Sequence, residues 1–87
     1  MKIRDGYILR NVAGKNIVVS IGSETNFSGM LTLNDTGVFF WNLLSEETTK
    51  EQMLEKILSE YDIDKATAAQ DIDNFIVKLQ NAGILEA

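Results

Sequence analysis

The stretch SGMLTLNDTGVFFW, residues 28–41, decides how the rest of the chain is read. It opens as an extended run that places Leu31 and Leu33 on one face and Ser28, Met30 and Thr32 on the other. Asn34 follows, a residue whose side chain accepts a hydrogen bond from the first turn of a helix. Leu33 before this cap and Val38 after it occupy the positions of a hydrophobic staple, which sets the angle at which strand becomes helix. From Val38 to Leu44 only Asn42 is polar. A helix apolar all round is expected to be buried all round, which makes it the central helix, between a sheet and other helices.

Upstream, YILRNV at 7–12 and IVVSI at 17–21 are short runs rich in β-branched residues, joined by a turn at Ala13-Gly14-Lys15-Asn16. Ile17, Val19 and Ile21 share one face of the second run. A polar loop from Gly22 to Asn26 leads into a third strand over 27–33, whose Phe27 falls on the face of Leu31 and Leu33. Downstream, Thr49-Lys50-Glu51-Gln52 reads as a capping box opening a second helix, with Met53, Leu54, Ile57, Leu58 and Tyr61 as its apolar stripe. After the turn Asp62-Ile63-Asp64, Asp64 caps a third helix over 65–82, with a stripe of Ala69, Ile72, Phe75, Ile76 and Leu79. Gly83 ends it, and Ile84-Leu85 returns to the core. The order is βββααα: an α+β fold, a three-stranded antiparallel sheet followed by three helices, in one domain spanning 1–87.

Composition narrows the chemistry. At 87 residues roughly 60% of the unfolded surface can be buried, so nearly every large apolar residue belongs to the core. No apolar run approaches the roughly 20 residues of a membrane span, and MKIRDG turns polar at once, so the chain reads as cytoplasmic and free of membranes. The absence of cysteine and histidine removes disulfides, thiolate and imidazole metal ligands and the commonest general base, and no cofactor or metal is expected. A net charge of −5 opposes binding to a phosphate backbone.

Together, LTLNDTGVFFWNLL, TKEQMLEKILSEYDID and AAQDIDNFIVKLQNAGIL closely resemble the PqqD family, small peptide-binding proteins also called RiPP recognition elements. The resemblance runs from the first strand to Leu85. LNDTG with its aromatic helix, and DIDNFIVKLQNAGIL, are its most specific parts. Members often carry a glycine in the loop before the second helix, where this chain has Ser45-Glu46-Glu47. The resemblance implies a winged helix-turn-helix-like fold and a non-catalytic chaperone. Such a protein binds the leader segment of a ribosomally synthesised precursor peptide and presents it to a modifying enzyme, often a radical SAM maturase. It also implies that the leader adds as a strand in the cleft between the third strand and the third helix. The peptide-binding candidates are then Ser28, Gly29, Met30, Leu31 and Thr32 on the strand, and Ala68, Asp71, Ile72 and Phe75 on the helix.

The residues are compatible with that mode. Residues 27–33 contain no proline and no charge, the usual devices that blunt a sheet edge, and Gly29 either permits close approach of another backbone or marks a bulge. Met30 and Thr32 are candidates for a solvent-facing, adaptable surface. Asp71 flanks the apolar stripe, either as a solvated carboxylate or as a partner for a basic or amide group of the leader. Ile76, Leu79 and Trp41 read as core, and Glu51, Glu55 and Glu60 as a solvated face balanced by Lys50 and Lys56. A rival winged-helix DNA reader finds little support, because the third helix sets Lys65 and Lys78 against Asp71 and Asp73 and has no arginine. The carboxylate pairs Glu46/Glu47 and Asp62/Asp64 sit in turns without a nucleophile–base constellation, so an enzyme is not expected. A structural subunit of a biosynthetic complex remains an alternative. An unblunted edge is also compatible with a homodimer.

Overall fold

The computed structural model describes residues 1–20 and 31–86. In chain order the elements are β1 (Lys2–Ile3), β2 (Tyr7–Val12), β3 (Lys15–Ser20), β4 (Leu31–Leu33), α1 (Asp35–Leu44), α2 (Lys50–Glu60), α3 (Lys65–Asn81) and β5 (Leu85–Glu86). An antiparallel sheet of order β2-β3-β4 precedes the three helices, so the expected α+β architecture holds. Among the described residues, no helix is long and apolar enough to cross a membrane.

The β2–β3 hairpin is tighter than the sequence led us to expect. Pairing runs from Tyr7–Ser20 to Val12–Lys15, leaving only Ala13 and Gly14 in the turn. Their φ angles of 52° and 81° are both positive, as in a type I′ turn, whose twist matches that of the flanking strands. Lys15 and Asn16 therefore belong to the strand. β4 pairs with β3 through Val18–Leu31 and Asn16–Leu33, and it is the edge of the sheet among the described residues. The remainder of the expected third strand, residues 27–30, and Ile21 of the second lie outside the described residues.

Register decides which face is core. Leu9, Val18 and Leu31 stand in one cross-strand row against the helices, and Val18 is fully buried. Ile17 and Val19 do share a face, but it is the opposite one, shared with Ile8, Arg10 and Val12.

Asn34 caps α1, its Oδ1 accepting from the Gly37 amide at 2.8 Å. Phe40, Trp41 and Leu44 are buried, whereas Val38, Phe39 and Leu43 are only half-buried and Asn42 is exposed. The expectation of burial on every side is therefore corrected: a small domain has too little chain to cover all sides of one helix. Phe39 is instead shielded edge-on by the ring of Tyr61, with centroids 5.2 Å apart.

The α2 capping box forms as the spacing predicts, with the Thr49 amide donating to Gln52 Oε1 at 3.1 Å and the Gln52 amide to Thr49 Oγ1 at 3.2 Å. Asp64 caps α3 through Oδ2, which accepts from the Ala66 and Thr67 amides. α3 buries Ala68, Ile72, Phe75, Ile76 and Leu79, and Ala68 takes the fully buried place expected of Ala69. Lys50 pairs across to Asp73 of α3 instead of with the glutamates of its own helix.

At the C-terminal end of α3, Gly83 has φ 73°, the Gly83 amide donates to Gln80 O and the Ile84 amide to Leu79 O. These are the two bonds of a Schellman motif, and they turn Ile84 and Leu85 inward. Leu85 then pairs with Ile3, closing a two-stranded β1–β5 ribbon over α1 that periodicity had not disclosed.

Candidate functional site

A cleft of about 500 Å³ opens between the β4 end of the sheet, the first turns of α1 and one edge of α3. Thr32, Leu33, Asn34, Thr36, Gly37 and Phe40 line one wall. Asp71, Asn74, Phe75 and Lys78 line the other.

Each wall follows from local sequence. The Asn34 cap bends the chain from β4 directly into α1, so Thr32 and Thr36 lie on either side of one corner. Gly37 makes that corner tight: a Cβ there would meet Leu33 Cβ at 3.2 Å and Asn34 Oδ1 at 3.3 Å. On α3, positions 71, 74, 75 and 78 recur at three- and four-residue spacing and therefore share one edge of the helix. Phe40 and Phe75 meet between the walls with ring centroids 5.5 Å apart, giving the cleft an apolar floor. The rim is polar: Asn34 and Thr36 on one side, Asp71, Asn74 and Lys78 on the other.

The structure sorts the sequence candidates. Thr32, Asp71 and Phe75 line the cleft, with Thr32 exposed and Asp71 half-buried. Leu31 turns its half-buried side chain toward the core, leaving its backbone as the part available at the edge. Ala68 and Ile72 are completely buried and offer no surface, so they belong to the core packing of α3 and not to the cleft. They lie on the stripe that holds the helix to the domain, and that stripe differs from the edge bearing Asp71 and Lys78. Ser28, Gly29 and Met30 lie outside the described residues.

Sequence reasoning missed Asn34, Thr36 and Gly37 as wall residues and Asn74 and Lys78 as rim residues. The last two carried a legible signal, since they stand three and seven positions after Asp71 on the same helical edge. The first three carried none. Only the fold shows that the cap of α1 also borders a cleft.

The sequence profile of the family described as coenzyme PQQ synthesis protein D (PqqD) matches residues 7–85. A search of curated proteins finds no match to the chain. Among solved structures, the chain is similar to TbiB1 in complex with the TbiA(beta) leader peptide, at 25% identity and a TM-score of 0.80, covering 100% of this chain and 96% of the other. It is also similar in fold to lasso peptide synthetase B1 complexed with the leader peptide, at 17% identity and a TM-score of 0.76, covering 99% and 96%. A profile match over nearly all of the described strands and helices identifies the family, and this chain belongs to the PqqD family.

Proposed function

We propose that this protein is a non-catalytic peptide chaperone: it captures the leader segment of a ribosomally synthesised precursor peptide and presents it to a modifying enzyme, such as a radical SAM maturase. The observation that carries this reading is the edge strand β4 running beside a cleft with an apolar floor and a polar rim. An edge strand presents N–H and C=O groups to a partner strand, and apolar pockets beside it select side chains. Family membership and the leader peptides bound to TbiB1 and to lasso peptide synthetase B1 support the same reading. In it, the peptide pairs with β4 around Leu31 and Thr32, extends toward Ser28, Gly29 and Met30, and lies against Asp71 and Phe75. A wall held by a capped helix is ordered in advance, which lowers the entropy cost of capturing a flexible leader.

The test is an NMR titration of the isotope-labelled protein with a synthetic leader from the precursor encoded beside its own gene. The expected result is saturable shifts confined to residues 28–36 and 71–78, with micromolar affinity (about −8 kcal/mol). No shift with that leader, in the presence and in the absence of the neighbouring modifying enzyme, would reject the reading in favour of a scaffold subunit.

A further inference from the structure

The rim of the cleft carries one negative and one positive group on the same helical edge, and neither has a partner among the described residues. Asp71 and Lys78 both line the cleft, and among the described residues neither forms an ion pair or a side-chain hydrogen bond. Asp73, two positions from Asp71 on the same helix, is by contrast paired with Lys50 and stands outside the cleft. The Asp71 carboxylate is half-buried on the cleft wall, placed for a donor on a bound chain to reach it. Phe75 lies between the two charges in sequence and contributes to the floor.

From this arrangement, and resting on the reading of the cleft as a leader-peptide site, we propose that Asp71 and Lys78 determine specificity by reading opposite charges on the two sides of one apolar anchor. Seven residues of helix separate Asp71 from Lys78, about 10 Å along the axis. Residues four apart in an extended strand lie on one face and about 13 Å apart. The long lysine stem closes the difference. The peptide class that fits has a basic or amide residue over Asp71, an apolar residue over Phe40 and Phe75, and an acidic residue over Lys78, at every second position. The order of the two charges along the peptide fixes the direction in which the strand lies in the cleft. A strand added the other way round would put like charges together.

The experiment is selection from a displayed library of random peptides, run on the full chain and on the charge-swapped variant Asp71→Lys/Lys78→Asp, both checked for folding by circular dichroism. Wild type is expected to enrich opposite charges four positions apart around an apolar residue, and the swapped variant the reverse order. With one enriched peptide, Asp71→Asn and Lys78→Gln should each weaken binding about two- to fivefold, an effect that fades as salt is raised. Enrichment of the same peptides by wild type and swapped variant, or enrichment of apolar patterns without charge order, would overturn the inference and leave peptide binding standing. No enrichment by either folded protein would overturn the peptide-binding reading, and this inference with it.

Discussion

Asn34 does two jobs with one side chain, since the bond that caps α1 also fixes the corner where β4 meets the cleft. Asn34→Ala is expected to destabilise the protein by about 1 kcal/mol. In a domain of this size that corresponds to a fall of roughly 4–8 °C in Tm. Asn34→Asp keeps the acceptor and should restore most of the loss, which thermal melts of the two variants would check. Ala13 is the opposite case, a residue that its position does not favour. It holds φ 52° in a two-residue turn, a region that costs a side chain with a Cβ about 1–2 kcal/mol. Asparagine tolerates that region and, followed by glycine, suits a type I′ turn. Ala13→Asn should therefore raise stability by about 0.5–1 kcal/mol in urea titration; a lower midpoint would show that the turn is not what limits the hairpin.

Among the elements, α3 has three edges with separate tasks. Its buried stripe of Ile72, Ile76 and Leu79 holds it to the domain, Asp73 ties it to α2, and Asp71, Asn74 and Lys78 face the cleft. Truncation on the first edge should be costly: Leu79→Ala is expected to lose about 2–5 kcal/mol, because the site is fully buried and cannot refill. Loss of the second should scarcely register. Lys50 and Asp73 are 42% and 53% exposed, so Asp73→Ala should change stability by under about 1 kcal/mol. Denaturant curves for the two variants separate the edges directly. Equal losses would mean that the α2–α3 ion pair contributes as much to the stability of the helices as their packing does.

At the scale of the whole molecule, the chain ends meet. The Schellman bonds after α3 aim Ile84 and Leu85 inward, and β5 pairs with β1 beside α1. Ile84 is fully buried and Leu85 nearly so. Deleting residues 84–87 removes both, at about 2–5 kcal/mol each from a domain whose total stability is of the order of 5–15 kcal/mol. The shortened chain is expected to lose its cooperative thermal transition. Retention of a sharp melt within a few degrees of the full chain would show that the ribbon is an accessory to the fold.

Much of this was legible because it is local. The caps at Asn34, Thr49 and Asp64, the stop at Gly83 and most of the apolar stripes of α2 and α3 depend on residues within a few positions of one another, and spacing discloses them. The exceptions are Tyr61 of the expected α2 stripe, exposed past the helix end, and Ala68, which replaces Ala69 on α3. The family motif is likewise a run of residues. What tertiary structure decided involves partners distant in the chain. Val18, and not Ile17 or Val19, faces the core because strand register with Leu9 and Leu31 selects the face. Among the described residues the flank of α1 bearing Val38, Phe39 and Leu43 stays half-buried, with the Tyr61 ring set edge-on against Phe39. Ala68 and Ile72 are core while Asn74 and Lys78 reach the cleft, because the rotation of α3 against the sheet is set by packing across the molecule. The sequence by itself determined the caps and order of the three helices, the presence of the hairpin and the family, but not the exact strand bounds or the β1–β5 ribbon. Only the packed chain decided which edge of each element remains open for a partner, since that depends on contacts summed over residues far apart in sequence.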